Sequence, residues 1–165
     1  MPFNRYWHVS RNFRALAGGE SGAEVQTEEL TVFRVLPRHE RELDAALNDG
    51  PHRNDRTPRQ LIVLNPNTGD LAPERRWPVE RFALLAARLV REDGARVLVT
   101  GSRAERDTTA ALLRAAGPLP LGRLQDLGGA LSIGALHALF QRAGLVISND
   151  SGPMHLAAAQ GTPTI

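Results

Sequence analysis

The chain has 165 residues, the size of one domain or of one domain with part of another. Its 42% hydrophobic and 23% charged residues argue against wholesale disorder, and the lack of cysteine excludes disulfides and cysteine-ligated metal sites. The net charge is only +2 and every basic residue is arginine, so the pI near 10.3 describes how arginine titrates rather than a basic surface. The densest basic patch, Arg53, Arg56 and Arg59, lies in a Pro/Asn/Asp-rich stretch without interleaved aromatics, which points away from nucleic acid. No apolar run approaches the length of a membrane span, and Met1–His8 lacks the apolar core of a signal peptide. A cytoplasmic location is the expectation.

Residues 1–60 are weakly patterned. Asn12–Ala17 suits the end of a helix stopped by Gly18-Gly19, and Leu30–Leu36 a short strand ending at Pro37. Arg38–Leu47 carries Leu43, Ala46 and Leu47 at helical spacing, and Asn48-Asp49-Gly50-Pro51 is a stop. Pro51–Gln60 reads as a linker.

From Leu61 the pattern sharpens. Leu61-Ile62-Val63-Leu64 is a continuous apolar run, as for a strand buried on both faces. Beyond Pro78, Phe82, Leu85, Ala86, Leu89 and Val90 recur with helical spacing. Arg96–Thr100 is a second strand. Ala104, Thr108, Ala111, Leu112 and Ala115 mark the inner face of a second helix that ends at Gly117-Pro118. Ser132 caps a third helix, with Leu136, Leu139 and Phe140 inward and His137 on the surface. Leu145–Ser148 is a third strand, Met154–Gln160 a short helix closed by Gly161, and Thr162–Ile165 the start of a fourth strand. Strands alternating with helices predict an α/β fold with a Rossmann-like parallel sheet, whose ligands bind at the carboxyl ends of the strands.

The loops at those ends hold the candidate chemistry. Asn149-Asp150-Ser151-Gly152-Pro153-Met154-His155 follows a buried strand and opens a helix, where unpaired N–H groups and the positive dipole end suit a phosphate. Gly152 lets a ligand approach the backbone, Ser151 adds a hydroxyl, and His155 can reach the same space. Asp150 would repel a phosphate, so it is expected to orient backbone amides or a sugar hydroxyl. A plain helix cap by Asp150 or Ser151 explains the same residues. Asn65-Pro66-Asn67-Thr68-Gly69 follows the first strand, and its loop runs on to Arg75 and Arg76, whose forked side chains suit a diphosphate. The alternative there is a solvated arginine pair beside Trp77. Glu105, after the second strand, is placed to bond ribose hydroxyls or to serve as an acid in a first helical turn. A lysine-bearing phosphate loop, a Gly-x-Gly-x-x-Gly fingerprint and a Gly-x-Ser-x-Gly elbow are all missing. The five histidines lack metal-ligand spacing.

In order along the chain, Asn65–Gly69, Arg75-Arg76-Trp77-Pro78, Thr100-Gly101-Ser102, Asp126–Ser132 and Asn149–Ala157 together resemble the bacterial heptosyltransferases, glycosyltransferase family 9. The resemblance covers residues 61–165 well and 1–60 loosely. It implies a two-domain GT-B glycosyltransferase. Residues 61–165 would be its nucleotide-sugar domain, truncated at the carboxyl end, and 1–60 a remnant of the acceptor domain plus linker. It implies inverting transfer of a heptose from an ADP-sugar to a lipid-linked lipopolysaccharide core saccharide, at the cytoplasmic face of the inner membrane and with peripheral membrane contact. No metal or other cofactor is implied, the ADP-sugar being a substrate. Carried over by position, Thr68 lies near the diphosphate, Arg75 replaces the family's phosphate-binding lysine, and Glu105 takes the ribose. Asp150, Ser151, Gly152 and His155 surround the sugar and diphosphate. No residue matches the family's catalytic base, an acid of the amino-terminal domain. The alternatives are a non-catalytic nucleotide-sugar or phosphate-binding module and an inactive fragment of such an enzyme.

Overall fold

The computed structural model describes residues 33–47, 61–68 and 76–165, all within the unit Thr31–Ile165. The readings of Asn12–Ala17, of residues 48–60 and of Arg75 fall outside these residues.

Four parallel strands form one sheet: β1 (Leu61–Asn65), β2 (Arg96–Val99), β3 (Leu124–Asp126) and β4 (Leu145–Ser148), in the order β3-β2-β1-β4. Register is set by pairs such as Val63 with Leu98 and with Val146. Every residue of β1 is buried, as its unbroken apolar run requires. The expected last strand begins beside β4, where Val146 donates to the Pro163 carbonyl and Ile165 to that of Val146, both at 2.9 Å.

Among the described residues five helices accompany the sheet: α1 (Pro37–Ala46), α2 (Val79–Glu92), α3 (Arg106–Ala116, entered through a 3-10 turn at Arg103–Glu105), α4 (Ile133–Arg142) and α5 (Gly152–Ala159). The alternation of β1 sends Ile62 and Leu64 into one core with Phe82, Ala86 and Val90 of α2 and Leu112 and Ala116 of α3. Leu61 and Val63 enter a second core with Ala138, Leu139 and Phe140 of α4 and Ala157 of α5. Leu43 and Leu47 complete that second core, so α1 packs with residues 61–165 although it precedes them in the chain. Its last carbonyls are capped from across the fold: Ala46 accepts from Gln125 at 2.9 Å and Leu47 from Arg96 at 3.4 Å.

Ser132 caps α4 as expected, accepting from the Ala135 amide at 3.2 Å. Four expectations need correction. β3 adds a strand that the pattern does not predict, because Leu124-Gln125-Asp126 has a single apolar residue and is held as a strand by pairing with β2. The inner face of α3 is Thr109, Leu112 and Ala116, about one residue round from the expected stripe. Alanines lie on both neighbouring stripes, and Thr109 is on the inner one, where its hydroxyl donates to Asp126 Oδ2 at 3.1 Å. His137 is buried, not on the surface, with Nε2 at 2.6 Å from the Phe33 carbonyl. Residues 33–36 join no sheet and lead into α1, whereas 30–32 lie outside the described residues.

Candidate functional site

The connections reverse between β1 and β4. From β1 the chain moves to β2 and β3 through α2 and α3, on one face; it returns through α4 to β4 on the other side of β1. The loops after β1 and β4 leave the sheet in opposite directions from this point of reversal, the place where sheets of this kind take ligands, and the rim between them is here called the crevice.

Buried asparagines hold the rim of that crevice together. Asn65, the last residue of β1, accepts the Asn67 amide on Oδ1 at 3.1 Å and so turns the chain out of the sheet. Asn67 Nδ2 donates to the Thr100 carbonyl at 3.3 Å, tying the β1 loop to the β2 loop. Gly101 leaves room for this amide, since a Cβ there would lie 2.8 Å from it. On the β4 side Asn149 Oδ1 accepts the Trp77 amide at 2.9 Å, and its Nδ2 donates to the Pro66 carbonyl at 2.7 Å. All three asparagines are buried. The Trp77 ring, half exposed, meets Phe82 edge to face with centroids 4.8 Å apart.

Thr68 lies at the crevice, and its hydroxyl accepts from Arg76 Nε at 3.4 Å. Asp150, Ser151, Gly152 and His155 stand together at the start of α5. The Asp150 and His155 side chains are exposed, with Oδ1 and Nε2 3.8 Å apart. Ser151 occupies the N-cap position in extended conformation without capping the helix; its hydroxyl is 3.0 Å from that of Ser148. Gly152 is exposed with open space where a Cβ would point. This leaves the first turn of α5 facing outward with Pro153, which has no N–H to lose, inside it. Glu105 stands on the far side of β1, on the β2 loop, where Oε2 accepts the Ser102 amide at 2.7 Å. Its carboxylate thus braces the turn that leads into α3. Thr68 thus lies on the β1 loop, Asp150, Ser151, Gly152 and His155 on the neighbouring β4 loop and the start of α5, and Glu105 on the β2 loop.

The role of the asparagines went unread. Their motifs were legible, but as donors toward a ligand. The available signal was an asparagine directly after a strand buried on both faces, where an amide must find partners among neighbouring loops. Among the described residues no group of three or more His, Asp or Glu side chains could hold a metal, and no helix is long and apolar enough to cross a membrane.

The sequence profile of glycosyltransferase family 9 (heptosyltransferase) matches residues 2–165. The chain is 30% identical over 107 residues to lipopolysaccharide heptosyltransferase 2 of Salmonella typhimurium, a match covering 65% of this chain and 30% of that protein. It therefore spans less than a third of that curated relative. Among solved structures, the family 9 glycosyl transferase of Veillonella parvula superposes with a TM-score of 0.75 at 23% identity, over 99% of this chain and 44% of that one. An E. coli heptosyltransferase bound to ADP-2-deoxy-2-fluoro heptose superposes with a TM-score of 0.61 at 18% identity, over 99% of this chain and 46% of that one. At these identities the structural likeness is one of fold.

Proposed function

Because the chain belongs to glycosyltransferase family 9, we propose that residues 61–165 bind the ADP-sugar donor of a heptosyltransferase reaction in the crevice between β1 and β4. One observation supports this: the topological reversal lies between β1, whose loop carries Thr68, and β4, whose loop carries Ser151, Gly152 and the start of α5. The amides of the first turn of α5 and the Ser151 hydroxyl receive the diphosphate, which the positive end of the helix dipole favours. Arg75 supplies a cation to the same group, and Thr68 a hydroxyl. Glu105 takes the ribose hydroxyls, exchanging its bond to the Ser102 amide for one to the sugar. Asp150 and His155 face the sugar end, Asp150 as an acceptor for a hydroxyl. With charge on the departing ADP held by a helix start and a guanidinium, direct displacement by an acceptor hydroxyl inverts the anomeric centre without a metal ion or other cofactor.

The acceptor in this reading is a lipid-linked saccharide of the lipopolysaccharide core, met in the cytoplasm at the inner membrane surface, where the protein makes peripheral contact. Residues preceding α1 then belong to the acceptor side, α1 itself packing with residues 61–165, and no residue of this chain is assigned as the base. A melt of the full chain in excess ADP, UDP or GDP tests the donor site. A ligand at about a hundred times its dissociation constant adds about 2.7 kcal/mol, a shift of several degrees. ADP should raise the midpoint while UDP and GDP do not, and Asp150→Ala with Arg75→Ala should remove the shift. No shift with any nucleotide would overturn the assignment. Transfer to a core acceptor by this chain, with metal removed, would exclude the reading as a non-catalytic binding module.

A further inference from the structure

We propose that Asn149 is a positioning residue that sets the width and shape of the crevice; this rests on the donor-site reading above. The residue is buried, and its backbone amide and side chain together reach two segments far from it in sequence, Asn65-Pro66 and Trp77. The backbone amide donates to the Asn65 carbonyl at 3.2 Å, Nδ2 to the Pro66 carbonyl at 2.7 Å, and Oδ1 accepts from the Trp77 amide at 2.9 Å. The first bond continues the pairing of β1 with β4 by one step. The other two reach over the carboxyl end of β1 and hold the turn after it and the entry to α2 against the β4 loop. Trp77 is two residues along the chain from Arg75, and Pro66 two residues from Thr68. Asp150, Ser151 and Gly152 follow Asn149 directly. One amide therefore fixes the relative placement of both sides of the crevice.

The chemistry requires a primary amide. A position that must donate to one carbonyl and accept from one N–H at the same time suits neither a carboxylate, which only accepts, nor an apolar side chain, which does neither. The bond to the Pro66 carbonyl is buried and the one from the Trp77 amide partly so; losing the first strands a carbonyl away from water, at a cost larger than the bond's net worth. Asn65 and Asn67 extend the same scaffold toward β2. Neither of them spans β1 and β4.

Two variants of the full chain test this, each read by ADP affinity and by amide hydrogen exchange. Asn149→Ala should accelerate exchange at Trp77 while α2 beyond its first turn stays protected. It should also raise the ADP dissociation constant about tenfold. Asn149→Asp keeps the acceptor for Trp77 but sets a carboxylate against the Pro66 carbonyl. It should bind ADP weakly at about pH 8 and approach the parent at about pH 5.5, where a buried carboxyl takes up a proton and donates again. A general loss of fold would not recover in that direction. Unchanged ADP affinity in Asn149→Asp at both pH values, with the parent binding ADP, would overturn the proposal. So would unchanged exchange at Trp77 in folded Asn149→Ala. Failure of the parent to bind ADP, with Trp77 exchange faster in Asn149→Ala, would remove the donor-site reading and leave the brace established.

Discussion

The two faces of the sheet are covered by different means. On one, α2 and α3 follow the strands they cover and bury only small or apolar groups around Phe82 and Leu112, with Thr109 the polar exception. On the other, α4 and α5 leave a gap that α1 fills, and α1 is held by polar contacts with partners roughly 50 to 100 residues away along the chain. Arg96 and Gln125 cap its carboxyl end. Arg142 pairs with Glu40 and Asp44, and Glu42 accepts both the amide and the hydroxyl of Ser132, at 2.6 and 2.7 Å. At the amino end the His39 ring lies against Gly134, stacked under Phe33. Local pattern suffices to place a helix whose only task is to bury an apolar stripe. A helix brought from elsewhere in the sequence is oriented by specific polar and close-packed contacts.

The largest expected effect tests whether α1 belongs to the same cooperative unit. Leu43 and Phe82 are both essentially inaccessible, one on each face. Leu43→Ala should cost about 2–5 kcal/mol and Phe82→Ala about 3–5 kcal/mol, each lowering the midpoint of one thermal transition. If Leu43→Ala left the main transition in place and only split off an early minor one, the difference between the faces would be one of attachment rather than of packing.

A smaller effect sharpens the contrast in packing. A Cβ at Gly134 would lie 2.4 Å from the His39 ring, which Phe33 and the Leu36 amide hold in place. Gly134→Ala should therefore destabilise by about 1–3 kcal/mol, against the usual gain from alanine in a helix. The double variant with His39→Ala should recover part of the loss in a denaturant titration. No loss in the single variant would mean that α1 shifts freely on α4.

The smallest effect concerns the wet edge of the same seam. The two hydrogen bonds from Ser132 hold the Glu42 carboxyl below its ordinary range. A depressed folded-state value gives stability that is present above the unfolded value and lost as pH falls through the folded one. Acidification between about pH 5 and pH 3 should remove it. Solvent screening keeps the contribution below about 1 kcal/mol. Glu42→Gln should flatten that part of the stability profile, measured by chemical denaturation at each pH. Burial draws the Arg142 guanidinium below its usual value, and its half-buried pairs with Glu40 and Asp44 should weaken little with added salt in the same denaturant titration.

Much of the fold and the place of the site could be read from residues in order. β1 and β4 announced themselves as apolar runs, α4 by the Ser132 cap, and the crevice loops by Asn65–Thr68 and Asn149–His155 after those runs. Such signals are local: they depend on side-chain period and on the few residues that start or stop an element. β3 was missed because its three residues become a strand only when β2 offers its free edge. The expected surface position of His137 fails because the covering residue, Phe33, is 104 positions away in the chain. In the site, Thr68, Asp150, Ser151, Gly152 and His155 were legible as loop chemistry, whereas Asn149 as a brace was not, since its partner Trp77 is 72 positions away.

Strand and helix identity, the parallel sheet and the carboxyl-end location of the candidate site follow from patterns within a dozen residues or so. They rest on backbone geometry and on transfer of apolar side chains from water, which each short segment expresses on its own. The seating of α1 on the second face, the turn of α3 about its axis and the amide that spans the crevice were settled by long-range packing. Hydrogen bonds and close contacts between distant segments have no partner to reveal them until the chain has folded around them.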